Sequence, residues 1–169
     1  MVTIREESPE DVPEICRVLD QAFGQEGESR LVEELRLRSA ITLSLVAIQE
    51  NQVVGHILFS PATIVSEDTS FDALGLGPMA VLPEHQNKGV GSELVRAGLR
   101  RCADAGHEIV VVLGHPEYYP KFGFKIGNLL GIRCEFDVPD EAFMVTELRE
   151  GALTGRTGVV RYQLEFNNV

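Results

Sequence analysis

The sequence predicts a single α/β domain in which helices pack against a mixed, mostly antiparallel central sheet. Apolar residues recur at three- and four-residue steps near the amino terminus and again after position 89, as on helices with one buried face. Other segments are rich in β-branched residues and are separated by polar turns, which is typical of strands. Because 169 residues with 44% hydrophobic residues can bury one continuous core, we expect residues 1–169 to form one ordered domain.

The chain begins with a short strand and two helices. Residues 2–6 alternate weakly, and Ser8 followed by Pro9 supplies an N-cap and a favoured first helical residue. Gly24 is a typical helix end. Residues 29–38 place leucines at helical spacing among charged residues and predict the second helix.

Three consecutive strands are predicted next. Residues 43–48 and 53–65 are rich in β-branched residues, and the polar segment 49–52 between them suits a hairpin turn. Residues 71–82 form the third strand of this meander, which ends at Pro83.

The second half starts with a helix that leads into a buried strand. Residues 86–91 precede an amphipathic stretch that ends at Gly106. Residues 109–113 are continuously apolar, as in a strand covered on both faces.

The carboxy-terminal segment has a weaker pattern. Residues 117–122 predict a short helix, and residues 123–126 predict the start of the next strand. Residues 143–148 predict another strand, and the alternation over residues 160–166 predicts the last one.

Composition argues against several functional classes. A net charge of −11 opposes nucleic-acid binding, which depends on Lys and Arg. No segment resembles a signal peptide or approaches the ~18 apolar residues of a membrane span, so we expect a cytoplasmic protein that does not bind membranes. Cys16, Cys102 and Cys134 lack the spacing of a zinc site, so we expect buried thiols and no metal.

The most informative stretch runs from Val81 to Ser92, where a predicted strand turns into a helix at Gly89 and Gly91. The first amides of a helix have no acceptor within it, and they point outward with the positive end of the helix dipole. Because glycines allow an anion to approach the backbone closely, this stretch predicts a pyrophosphate site.

Two common phosphate-binding motifs do not fit. A P-loop needs Gly-Lys-Ser/Thr, but Ser92 follows Gly91 directly. A dinucleotide fingerprint needs a third small residue where Leu94 stands, and the formal match at Gly75, Gly77 and Ala80 lies inside a predicted strand.

The pattern Gln86-x-x-Gly89-x-Gly91 between a strand and a helix resembles the coenzyme A loop of the GNAT superfamily of acyl-CoA-dependent N-acyltransferases. Met79-Ala80-Val81 followed by Pro83 resembles that superfamily's fourth strand, and the order of elements agrees over residues 2–126. The resemblance implies a GNAT-like domain with about six to seven strands and about four helices.

This resemblance implies an N-acetyltransferase that moves an acetyl group from acetyl-CoA to a primary amine by direct attack in a ternary complex. The acceptor would be a small-molecule or peptide amine, and both a monomer and a homodimer remain open. The alternative is a non-catalytic acyl-CoA-binding regulatory module. A nucleotide-binding regulatory domain is a third hypothesis, which the missing lysine and third glycine disfavour.

The resemblance also implies roles for particular residues. Main-chain groups of residues 87–92 would hold the pyrophosphate, residues 79–81 would pair with the pantetheine arm, and Gln86 would orient the loop. The expected cofactor-binding set is Met79, Ala80, Val81, Gln86, Asn87, Lys88, Gly89, Val90, Gly91, Ser92 and Phe122.

The implied catalytic residues are Tyr119 and His115. Tyr119 precedes a Gly-Phe pair by four residues, as in the superfamily, and would be the general acid for the departing thiolate. The acid often found on the fourth or fifth strand is missing, so we consider His115 as the base, with His56 and Glu84 as lesser candidates.

The oxyanion has an expected partner in the main chain. An amide near Met79 would meet it, because Gly75, Gly77 and Pro78 make a bulge in the fourth strand plausible.

Overall fold

The computed structural model describes residues 1–169 and confirms the predicted fold class. Its strands are β1 (Thr3–Glu6), β2 (Leu43–Gln49), β3 (Gln52–Val65), β4 (Ser70–Val81), β5 (Ile109–Leu113), β6 (Lys125–Ile126), β7 (Ile132–Cys134), β8 (Phe143–Glu147) and β9 (Gly158–Arg161). Its α-helices are α1 (Val12–Phe23), α2 (Gly27–Leu37) and α3 (Val90–Asp104). A membrane-spanning helix needs a length and an apolar character that no helix of this structure combines.

The sheet is mixed and mostly antiparallel. Its strand order is β1-β2-β3-β4-β5-β8-β6, and β9 pairs with both β3 and β7. The β4–β5 and β7–β9 pairs are parallel, whereas β1–β2, β2–β3, β3–β9, β5–β8 and β6–β8 are antiparallel.

Contacts between residues divide the chain into two compact units. The first unit comprises residues 1–59, 78–98 and 164–169, and the second comprises residues 60–77 and 99–163.

The first unit contains β1, α1, α2, β2 and the first part of β3, together with the end of β4 and the first part of α3. Helix α1 ends at Gly24, whose φ of 68° is left-handed, as the sequence predicts. The turn between β2 and β3 also matches expectation, because Glu50 and Asn51 have φ values of 51° and 62°, typical of a type I′ hairpin. The apolar faces of the helices are buried through Ile15, Val18, Leu19, Leu31, Val32 and Leu35.

The second unit has its own apolar core between strands. β5 is central to it, since Ile109 and Val111 pack with Phe143 and Val145 of β8. The continuously apolar segment predicted to be buried on both faces is therefore a central strand.

Two carboxy-terminal elements differ from the sequence prediction. The expected helix at residues 117–122 is only a 3-10 turn at Tyr119–Phe122, because Pro120 cannot donate an amide hydrogen bond and the left-handed Gly123 ends the turn. The expected last strand ends at Arg161, and residues Leu164–Asn168 form a 3-10 helix instead.

The physical reason for the second difference is a tertiary contact. The Leu164–Asn168 segment packs against α2, and Arg38 Nη2 donates to Glu165 Oε1 at 3.0 Å. The alternating pattern over residues 160–166 does not contain this information.

Candidate functional site

The loop between β4 and α3 has the geometry of an anion-binding helix entrance. β4 ends at Val81, a 3-10 turn follows at Pro83–His85, and α3 begins at Val90. Asn87 and Gly89 are both left-handed, with φ values of 62° and 88°. Left-handed residues in such loops turn successive amides towards one side, which forms a concavity suited to phosphate.

Side chains brace this loop against the strand before it. Gln86 Nε2 donates to the carbonyl oxygen of Val81 at 2.9 Å, so Gln86 ties the loop to the end of β4. Lys88 Nζ donates to the carbonyl oxygen of Glu84 at 3.1 Å. The first contact supports the predicted orienting role of Gln86, which stays a prediction.

The first turn of α3 is anchored by a close approach to β3. A Cβ atom at Gly55 would lie 3.0 Å from Leu94 Cδ1 and 3.2 Å from Val90 Cγ1, so glycine permits this packing. Val90 is buried, whereas Asn87, Lys88 and Gly89 are exposed, and Gly91 and Ser92 are half-buried. The loop is therefore exposed to solvent, and the buried side chain of Val90 anchors the end that leads into α3.

The strand that precedes the loop is irregular where the resemblance implies a bulge. Pairing of β4 with β5 covers Leu74–Leu76, and β4 continues beyond it to Val81. Gly77 has a φ of 143°, a conformation that favours glycine. Met79 is half-buried, and Ala80 and Val81 are buried. Main-chain groups after Leu76 are thus not used in pairing with β5.

Tyr119 lies in the turn that follows β5. It is 7% exposed, and burial raises the pKa of its phenol to about 12. Its ring centroid lies 5.0 Å from that of Tyr118 and 5.6 Å from that of Phe124, both edge-on. Phe122 is half-buried in the same aromatic group, 6.3 Å from the Tyr119 ring. The phenol ring therefore packs among three aromatic rings, and its hydroxyl remains protonated at neutral pH.

His115 belongs to the same turn. Its side chain is exposed, and its carbonyl oxygen accepts hydrogen bonds from the amides of Tyr118 at 3.1 Å and Tyr119 at 3.4 Å. β5 itself, Ile109–Leu113, contains no acidic side chain. Of the two predicted catalytic residues in this turn, His115 is thus the one whose side chain is exposed to solvent.

His56 has a different environment. It is fully buried on β3, and burial, with a smaller contribution from Arg36, lowers its pKa to about 3. Its Nε2 lies 2.8 Å from Ser44 Oγ, which donates to Glu7, and Glu7 is ion-paired with Arg36. An imidazole that resists protonation is a poor general base, so the environment of His56 fits a structural role.

This buried polar network was not predicted. Its members lie on α2, β2, β3 and the segment that follows β1, and no local motif connects them. Ser44 also borders a cavity of about 290 Å³, which is lined by Glu6, Glu7, Arg36, Ile41, Thr42, Leu43 and Ser44.

The structure gathers the predicted site residues in two places. Residues 79–81 and 86–92 form one continuous region of the first unit. His115, Tyr119 and Phe122 share one turn of the second unit. Glu84 is exposed in the 3-10 turn before the loop.

Known proteins resemble this chain over nearly its whole length. Residues 3–127 match the family model described as an acetyltransferase (GNAT) domain. The uncharacterized N-acetyltransferase YhbS of Escherichia coli strain K12 is 38% identical over 165 residues, covering 97% of this chain and 98% of the relative.

Solved structures show the same likeness. The crystal structure of YhbS from Escherichia coli in complex with CoA has a TM-score of 0.93 at 36% identity, covering 98% of this chain and 92% of that one. A GNAT family acetyltransferase from Brucella melitensis in complex with acetyl-CoA has a TM-score of 0.80 at 35% identity, with 98% of both chains covered. The predicted resemblance is therefore confirmed, and the chain belongs to the GNAT family of acetyltransferases.

Proposed function

We propose that this GNAT acetyltransferase binds acetyl-CoA at the loop between β4 and α3 and transfers the acetyl group to a primary amine by direct attack. The geometry of that loop carries the proposal. Left-handed Asn87 and Gly89, the exposed loop and the start of a long helix are the features that would hold a pyrophosphate. The relatives that bind CoA and acetyl-CoA support the same ligand for this chain.

Residues of the first unit would hold the cosubstrate. Main-chain amides of residues 87–92 would donate to the pyrophosphate, and Met79, Ala80 and Val81 would pair with the pantetheine arm as an added strand would. The irregular backbone at Gly77 supports this role, because β4 extends beyond its pairing with β5. A main-chain amide near Met79 would stabilise the oxyanion that forms on the carbonyl.

In the reaction, the neutral amine nitrogen attacks the thioester carbonyl carbon, the new C–N bond forms and the C–S bond breaks. The nitrogen loses a proton, and the departing sulfur gains one. We assign proton acceptance to His115, directly or through water, because its exposed side chain can exchange protons with solvent. His56 is unsuited to this task, since its pKa is about 3.

Tyr119 would serve the departing sulfur. Its raised pKa, about 12, keeps the phenol protonated at neutral pH. An ordinary thiol has a pKa of about 8.5, so the phenol is the weaker acid. Tyr119 would therefore act first as a hydrogen-bond donor to the developing thiolate, and the proton would reach sulfur only late in C–S cleavage.

The second candidate is a non-catalytic acyl-CoA-binding module, which the apolar β5 favours because it lacks an acid. The two functions differ in turnover. Purified protein should be incubated with acetyl-CoA and a panel of polyamines, amino acids, aminoglycosides and peptides while free thiol is measured. Calorimetry should compare CoA with ATP and NAD.

Thiol release with at least one amine, together with selective CoA binding, would support the enzyme. Selective CoA binding without turnover on any amine would support the binding module instead. Failure to bind CoA, or equal affinity for ATP, would overturn both.

A further inference from the structure

At the end of β5, the Tyr119 ring fills the space that a side chain at position 114 would need. A Cβ atom built on Gly114 would lie 2.3 Å from Tyr119 Cε2, 2.8 Å from Cδ2 and 3.4 Å from Cζ. The two shorter distances are well inside van der Waals contact, so no residue with a side chain fits at position 114 while the ring stays where it is.

Backbone conformation does not explain why residue 114 is a glycine. The glycines with positive φ in this chain do not include Gly114, so an alanine there would meet no left-handed strain. Its amide donates to the carbonyl oxygen of Ala142 at 2.9 Å, which fixes the main chain at this point. The ring of Tyr119 is therefore the feature that requires a glycine.

Neighbouring aromatic rings also pack against Tyr119. Tyr118 and Phe124 pack edge-on at 5.0 Å and 5.6 Å, and the carbonyl of His115 holds the turn through the amides of residues 118 and 119. Rotation of the ring about its long axis would carry its edges into these neighbouring rings, so a new methyl group at position 114 would displace the ring and its hydroxyl with it.

We infer that Gly114 is a positioning residue for Tyr119, because its missing side chain forms the surface on which the phenol ring rests. This inference rests on the proposed role of Tyr119 at the departing sulfur. A displaced hydroxyl would be misplaced for a contact that matters mainly in the transition state, so kcat would fall more than the KM for acetyl-CoA would change.

The test is a double-mutant cycle with Gly114→Ala and Tyr119→Phe. Gly114→Ala should lower kcat about tenfold or more in the presence of Tyr119 and change it less than about twofold in the Tyr119→Phe background. Gly27→Ala is the matched control, because a Cβ there meets only Gln25 Nε2 at 3.7 Å. Equal losses of kcat in both backgrounds, or no loss in either, would overturn the inference.

Stability provides a second readout that does not depend on turnover. Gly114→Ala should lower the thermal midpoint, and the same substitution should cost little in a Tyr119→Ala background, where the ring is gone. If Gly114→Ala alone does not fold, recovery of folding in the Gly114→Ala, Tyr119→Ala double variant supports the shared space, and failure to recover overturns it. Wild-type protein without turnover on any amine would instead count against the proposed function. The stability measurements would still test whether the Tyr119 ring fills the space beside Gly114.

Discussion

Ser44 Oγ lies 2.8 Å from Nε2 of His56, and both side chains are buried. The Ser44 hydroxyl has one proton, which it donates to Glu7. The hydrogen between Ser44 and His56 must then belong to the imidazole, so His56 is the neutral tautomer protonated at Nε2. Its Nδ1 is buried without a hydrogen-bond partner.

Folding stability should therefore depend on pH through His56. The folded pKa is about 3, below the unfolded value of about 6.5. Between these values only the unfolded state binds the proton, so stability falls as pH decreases, by at most about 1.4 kcal/mol per pH unit. Above about pH 6.5 the contribution of His56 is complete.

Urea unfolding at pH 7.5, 6.5 and 5.5 would measure this dependence, since carboxylates change little over that range. His56→Phe should have a flatter profile than the wild type, whatever its absolute stability. Equal slopes for the two proteins would contradict the assignment of a buried neutral imidazole.

A carboxylate in the proposed pyrophosphate loop should weaken CoA binding. Gly89→Asp adds negative charge beside the diphosphate, and it also places a side chain at a φ of 88°. Gly89→Asn carries the same backbone strain without the charge, so it is the matched control. In calorimetry, we expect the aspartate variant to bind CoA about 10- to 100-fold more weakly than the asparagine variant. Equal affinities would place the diphosphate elsewhere.

Removing the phenol oxygen should affect chemistry more than binding. Tyr119→Phe should lower kcat about tenfold or more and leave CoA affinity within about twofold, because the contact to sulfur strengthens in the transition state. Tyr118→Phe should leave both values close to those of the wild type, since it keeps the ring that packs against Tyr119 and Phe122. Steady-state kinetics and calorimetry separate the two effects. Parallel losses of kcat and affinity in Tyr119→Phe would make it a binding residue.

The side chain of Gln86 should support cofactor affinity through the loop. Gln86→Ala removes the hydrogen bond to the Val81 carbonyl, so we expect CoA to bind about three- to tenfold more weakly. Gln163→Ala is a suitable control, because Gln163 Nε2 makes a similar bond to the Pro61 carbonyl outside the loop. Similar effects of both variants on CoA affinity would argue against a specific role for Gln86.

Elements specified by neighbouring residues were predictable. The hairpin turn at residues 49–52 and the end of α1 at Gly24 follow from local backbone preferences, and the structure agrees with both. The strand–loop–helix stretch around Gly89 and Gly91 was predictable for the same reason, since one short segment contains the whole pattern.

The carboxy-terminal elements were less predictable because distant partners define them. β7, Ile132–Cys134, pairs with β9, and nothing in its three residues indicates that partner. Leu164–Asn168 leaves the alternating pattern to pack on α2. A periodic pattern of apolar residues indicates which face of an element is buried. It does not specify which other element covers that face.

The sequence by itself determined the fold class, the family resemblance and the loop proposed to hold the pyrophosphate, because each depends on residues close together along the chain. Tertiary structure alone decided that His56 is a buried neutral imidazole that donates to Ser44, and that Gly114 must lack a side chain because of the Tyr119 ring. These relationships depend on the volume and charge that folding brings together across the chain, and the spacing of residue types does not encode them.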